Sequence, residues 1–165
     1  MRQHLAWYDL AADAVALIAR HYIPRGGVVY DIGCSTGNVG RGLGDVIEGR
    51  DVRLIGVDNC ADMVAAYQAP GQCILAEAQA ADYEPFDVAI LFLTLMFMTV
   101  SDRHELLSKL RSRMKPGAAI IVFDRTIAAS GYEATVMMRM VWNGKLRAGV
   151  SMAEVAEKEM RLAGV

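Results

Sequence analysis

The chain reads as an α/β protein, a Rossmann-like parallel sheet of about five strands with helices on both faces. Three observations predict it. Short apolar runs alternate along the whole chain with segments of helical period. The first run, 28–32, passes through a glycine-rich turn straight into a helix. The fifth, 118–123, is continuously apolar, as a parallel strand covered on both faces should be. With 165 residues, 54% of them hydrophobic, the chain reads as one domain with enough interior for a core. Within it, 1–24 form an N-terminal helical lid, 28–125 the core and 130–165 the C-terminal helices.

Leu10, Ala14, Leu17, Ile18 and His21 recur at helical spacing and mark a first helix, stopped by Pro24 and the Gly26-Gly27 pair. The first strand is followed by a helix over 36–47, a second strand over 53–57, a helix over 60–67 and a third strand near 73–75. The fourth strand spans 87–93. A helix over 102–114 carries Leu106, Leu107, Leu110 and Met114 on one face, with Ser101 as its N-cap. All four prolines, Pro24, Pro70, Pro85 and Pro116, fall in connections. Two helices, 132–143 and 151–163, end the chain, and no strand 6–7 hairpin is evident after residue 125. The fifth strand is therefore an open edge or is covered by those helices. Val136, Met137, Met140 and Val141 form an apolar stripe there, read first as core and second as an intermolecular surface.

The glycines Gly33, Gly37 and Gly40 are spaced G-x-x-x-G-x-x-G, unlike a dinucleotide fingerprint. Asp31 stands two residues before the first of them, where a carboxylate would repel a pyrophosphate. A cofactor bearing its own positive charge is attracted instead. S-adenosylmethionine (SAM), with an ammonium, a sulfonium and no phosphate, fits that requirement. Asp58 ends the second strand, about 20 residues after the turn, the position that hydrogen-bonds a ribose hydroxyl in this topology. Asp31 and Asp58 should lie side by side at the carboxyl edge of adjacent strands.

These residues resemble the class I SAM-dependent methyltransferases. Val29-Tyr30-Asp31-Ile32-Gly33-Cys34-Ser35-Thr36-Gly37 looks like their first motif and Leu54-Ile55-Gly56-Val57-Asp58 like their second. Glu77-Ala78, ahead of Phe86-Asp87-Val88-Ala89-Ile90, occupies the place of the acid–apolar pair flanking the adenine. Lys115-Pro116-Gly117-Ala118 resembles the turn before strand five. The pattern is most similar to carboxy-SAM synthase, a family that converts SAM to a carboxylated sulfonium with prephenate as donor and that continues beyond the end of this chain. That likeness rests on 30–35, Val57-Asp58-Asn59, Leu93-Thr94-Leu95 with Phe97, and Ser151-x-x-Glu154-Val155-x-x-Lys158. Carried over by position, Tyr8, Gly33, Cys34, Ser35, Asp58, Asn59, Glu77 and Ala78 match its cofactor contacts, and Asp31, Gly37, Met63 and Leu93 join them as cofactor-binding candidates. Two positions depart from it. The family's strand-four asparagine is Phe92 here, and its carboxylate-binding arginine is Glu159. An acid cannot hold a carboxylate as a guanidinium fork does.

Net charge is -2, which gives no electrostatic footprint for nucleic acid. The longest apolar run, 88–93, is a buried strand and not a membrane span. The opening residues, with Arg2 and His4, lead into an amphipathic helix and not a signal sequence. The three cysteines, Cys34, Cys60 and Cys73, lack metal-ligand spacing and suit reduced thiols in a cytoplasm. Neither a metal site nor a catalytic base is readable: His4, His21 and His104 read as surface helix residues, and Trp7, Tyr8 and Tyr132 as possible pocket lining. Arg125 is the best cation for an acidic acceptor. The leading expectation is a cytoplasmic, homodimeric methyltransferase that uses SAM, releases S-adenosylhomocysteine (SAH) and acts on a small-molecule acceptor. The alternatives are a SAM-modifying enzyme like carboxy-SAM synthase and a non-catalytic SAM-binding partner subunit.

Overall fold

The computed structural model describes residues 7–126 and 129–162. Five strands, β1 (Val28–Ile32), β2 (Arg53–Asp58), β3 (Gln72–Leu75), β4 (Phe86–Phe92) and β5 (Met114–Phe123), form one sheet in the order β3-β2-β1-β4-β5. Every pairing is parallel, and the sheet does not close. The intervening helices are α1 (Tyr8–Arg20), α2 (Asn38–Gly42), α3 (Gly44–Gly49), α4 (Ala61–Ala65) and α5 (Val100–Arg113), and α6 (Gly131–Arg147) and α7 (Met152–Leu162) follow the sheet. The chain packs as two compact units, Ala12–Asp124 and the described residues to either side of it. The expectations placed on Arg2, His4 and Ala163 lie outside the described residues.

The sheet core follows from the apolar runs. β1 is buried along its whole length and β4 nearly so, because both are flanked by strands on each side. Ile32, Phe86, Leu91, Leu106 and Leu110 are fully buried together. Tyr30 meets Tyr83 and Phe86 edge-on, at centroid distances of 4.9 and 5.9 Å. At the amino end, Asp87 accepts from the Val28 backbone N–H at 2.8 Å and from Lys115 Nζ at 2.7 Å, which fixes the start of three adjacent strands.

Several local expectations are corrected. α1 is a helix, but it buries Ala11, Ala12, Val15, Ala16 and Ala19, while Leu10, Leu17 and Ile18 are exposed. Small side chains permit close approach: a Cβ on Gly42 would sit 3.2 Å from that of Ala16. The helix over 36–47 is two short helices broken at buried Leu43, because three glycines (Gly40, Gly42, Gly44) weaken it. α5 starts earlier, with Thr99 as N-cap in place of Ser101; Thr99 Oγ1 accepts from the Asp102 N–H at 3.2 Å. Pro116 lies inside β5, not in a connection. It is tolerated at a register shift, where Phe86 pairs with Met114 but Val88 with Ala119, and Gly117 takes φ +82°. β5 is an edge strand of half-buried residues with Val122 exposed, so it is not covered on both faces. The stripe on α6 is not core either. No residue of that helix is buried, and Met137 and Met140 are more than half exposed.

Candidate functional site

The carboxyl ends of β1 and β2 are stitched together by a short loop with two left-handed backbone positions, Gly33 (φ +71°) and Ser35 (φ +50°). The N–H groups of Gly33 and Cys34 both donate to Val57 O, at 2.8 and 3.2 Å. Ser35 N–H donates to Asp58 Oδ2 at 2.8 Å, and Cys60 N–H donates to the other oxygen, Oδ1, at 2.9 Å. Asp58 thus holds the loops after β1 and β2 in one arrangement, and each of its oxygens keeps a further lone pair. Ser35 Oγ reaches Met63 Sδ at 3.3 Å. Asn59 Nδ2 donates to both oxygens of Glu77 at 3.2 Å, which joins the β2 tip to the loop after β3. Ala78 packs half-buried on the core, and its carbonyl accepts from Tyr83 Oη at 2.8 Å. Three carboxylates, Asp31, Asp58 and Glu77, therefore stand at the outlets of three neighbouring strands.

Asp31 is the one buried polar or charged residue among the described residues, at 2% exposure. Burial pushes its carboxyl up to about 7. A hydrogen bond from the Gly40 backbone N–H opposes that, and the charge of Asp58 adds to it. Its Oδ2 has no hydrogen-bond partner among the described residues. A buried, half-ionised carboxylate with an orphan oxygen is costly to the chain alone. It suits a cationic group brought by a ligand, and the ammonium of a SAM molecule meets that requirement.

A Cβ on Gly33 would lie 2.6 Å from Thr94 Oγ1, the hydroxyl that donates to Ile32 O at 2.7 Å. Cβ atoms on Gly37 and Gly40 would collide with Ala69, and Tyr67 lies 3.0 Å from the first of them. Gly37 and Gly40 thus serve the docking of residues 67–70 onto the glycine helix. Leu93, buried at the β4 tip, is held at φ +57°, a strained position for a leucine.

The structure brings together Asp31, Gly33, Cys34, Ser35, Asp58, Asn59, Met63 and Glu77. Tyr8 opens α1, outside the 12–124 unit. Sequence reasoning missed Tyr67, Thr94 and Cys73. Tyr67 Oη is buried with no hydrogen-bond partner among the described residues and its ring covers Gly37 and Gly56; Cys73 Sγ lies 3.4 Å from Cys34 Sγ. Strand register could have signalled Cys73 alone, since Tyr67 and Thr94 lie outside the strands. In the other unit, Arg125 lies 3.8 Å from Glu159, which Lys145 also approaches at 3.3 Å. Arg161 pairs with Glu157 at 2.5 Å. Among the described residues no helix is long and apolar enough to cross a membrane.

Residues 29–117, more than half of the chain, match the family model described as a methyltransferase domain. A carboxy-S-adenosyl-L-methionine synthase of Aliivibrio salmonicida is 26% identical across the whole of this chain and 72% of its own length. The PH0226 protein of Pyrococcus horikoshii OT3 superposes with a TM-score of 0.58 at 18% identity, over 74% of this chain and 62% of that one. The SAM-bound amino pentose methyltransferase CalS10 of Micromonospora echinaspora gives 0.59 at 20% identity, over 74% and 52%. The two structural likenesses concern the fold.

Proposed function

The chain belongs to the methyltransferase domain family, within the SAM-dependent transferases, and from that premise we propose that it transfers the methyl group of SAM to a small-molecule acceptor. The observation that carries the reading is the row of carboxylates at the outlets of β1, β2 and β3, with Asp31 buried and short of a partner at Oδ2. Asp31 would receive the ammonium of the amino-acid end, Asp58 with Asn59 the ribose hydroxyls, and Glu77-Ala78 the adenine side. Gly33, Cys34, Ser35, Gly37, Met63 and Leu93 complete the proposed contact set. When bound, SAM supplies a methyl group on a sulfonium, already activated for displacement and leaving as SAH. The chain's own part is positioning, since in-line transfer needs alignment more than a base. We place the enzyme in the cytoplasm as a homodimer, its exposed α6 stripe providing the apolar surface.

One observation favours a second reading. Curated relatives matched over the whole chain are carboxy-SAM synthases, SAM-modifying enzymes by name. Against transfer of that activity stands Glu159, which carries the wrong charge for a carboxylate and is engaged by Lys145 and Arg125.

Calorimetry with SAH tests the cofactor site. Asp58→Ala should weaken binding about tenfold or more, as loss of a hydrogen bond to an ionised group removes roughly 1.5–3 kcal/mol. Wild-type protein that binds neither SAM nor SAH ends the proposal. Mass spectrometry of ligand carried through purification from a prephenate-producing host separates the two readings: SAM or SAH supports the first, and carboxy-SAM replaces it with the second.

A further inference from the structure

Cys34 and Cys73 lie 39 positions apart in sequence, yet their sulfurs are 3.4 Å apart and both thiols are free. The sheet builds this contact. Asp31 and Cys73 both take Gly56 as their register partner, on β1 and β3 respectively, so the three residues form one row across the sheet. A Cβ on Gly56 would lie 2.8 Å from Cys34 Sγ. The missing side chain of Gly56 is therefore the seat of the Cys34 sulfur, which reaches over β2 toward β3 from the turn after β1. Cys34 is buried and Cys73 is half-buried, which gives one reachable thiol and one resolving thiol.

We propose that Cys34 and Cys73 form a redox-modification site that closes to an intramolecular disulfide by exchange with a small organic disulfide, tying the glycine turn to β3. The Cys73 thiol loses its proton, and its sulfur attacks one sulfur of the reagent, expelling a thiolate that takes up a proton. The Cys34 thiol then loses its proton and attacks the Cys73 sulfur of the mixed disulfide, and the second reagent thiolate leaves and is protonated. Two protein thiols are oxidised by two electrons while one reagent disulfide is reduced to two thiols. Burial pushes both protein thiols up, and Asp31 and Asp58, which face them together with Tyr67, add to this. Closure is accordingly slow, and its equilibrium is the quantity to read.

Bonding shortens the sulfur contact from 3.4 Å to about 2.05 Å, which draws Cys34 toward β3. The neighbouring Ser35 N–H, held by Asp58, must follow or let go. Resting on the S-adenosyl reading above, oxidation should raise the dissociation constant for SAH several-fold.

The test equilibrates the full chain with 2-hydroxyethyl disulfide, then blocks and counts thiols under denaturing conditions by mass spectrometry. Of the three cysteines, Cys34 and Cys73 should be joined in one cross-linked peptide, Cys60, half-buried like Cys73, should appear as a free thiol or a single reagent adduct, and the melting temperature should rise. Cys73→Ser should form no intramolecular link and show no rise in melting temperature with the reagent. Cys34 and Cys73 both free at equilibrium, a persistent mixed disulfide on either of them or a link through Cys60 would overturn the proposal. A 34–73 link in protein that binds no SAH in either state leaves the redox site standing and removes the S-adenosyl reading instead.

Discussion

β1 and α6 dispose of apolar side chains in opposite ways. All five residues of β1 are buried, Asp31 included, whereas the seventeen residues of α6 include none that is buried. Their charges differ in the same sense. In the strand, a carboxylate is withdrawn from water with one oxygen unpartnered. Beside the helix, Glu159 is neutralised by Lys145 and Arg125, and Arg161 by Glu157. The exposed Arg161–Glu157 pair screens charge at little gain, whereas Lys145 and Glu159 are largely withdrawn from water and each depends on the other. Asp31, the one buried acid among the described residues, costs stability that the paired charges beside α6 do not.

The widest test of that contrast is truncation on each side. Phe86→Ala, at a fully buried site, should cost about 3–5 kcal/mol in urea denaturation. Met140→Ala, at 63% exposure, should stay within about 0.5 kcal/mol. Equal losses would mean that α6 is packed in solution, against a second copy if the effect depends on protein concentration.

Next in size is Asp31→Asn. The folded carboxyl titrates at about 7, above its ordinary 3.8. Well below 3.8 both states are protonated and nothing is lost. Between the two values the unfolded chain ionises first, so stability falls as pH rises, and the penalty is complete above 7. The asparagine variant should therefore gain about 2–4 kcal/mol at pH 8 and only about 0.5 kcal/mol at pH 4, while losing SAH affinity. A gain independent of pH would show that Asp31 is not the strained acid. The smallest effect belongs to Arg161→Gln, about 1 kcal/mol or less, because its i,i+4 pair with Glu157 is exposed. A loss comparable to that of Phe86→Ala would make the helical pair a structural centre.

What was legible in the sequence depended on range. The runs 28–32, 53–57 and 87–93 became β1, β2 and β4 within a residue, because continuous apolar runs between turns have few other outcomes. Asp31 and Asp58 stand on adjacent strands as expected, but they are staggered and not side by side: Asp31 is opposite Gly56, two residues before Asp58. Helix α1 was legible as a helix but not in its orientation, because Leu10, Leu17 and Ile18 share a period with the alanines that actually face inward. Thr99 and Ser101 both suit an N-cap, and only the backbone chose between them. Thr94 over Gly33, Tyr67 over Gly56 and Cys73 beside Cys34 depend on contacts between distant segments, which no local pattern encodes.

Gly56 gives the fold a remote handle on its glycine turn. An alanine there would add a single methyl group with no free volume to receive it, 2.8 Å from the Cys34 sulfur and 3.0 Å from the Tyr67 ring. The displaced sulfur would carry the turn with it. Drift at this one interior position could thus retune what the loop accepts while every residue of the loop stayed the same, and a comparison of loop sequences alone would never show why two such proteins differed.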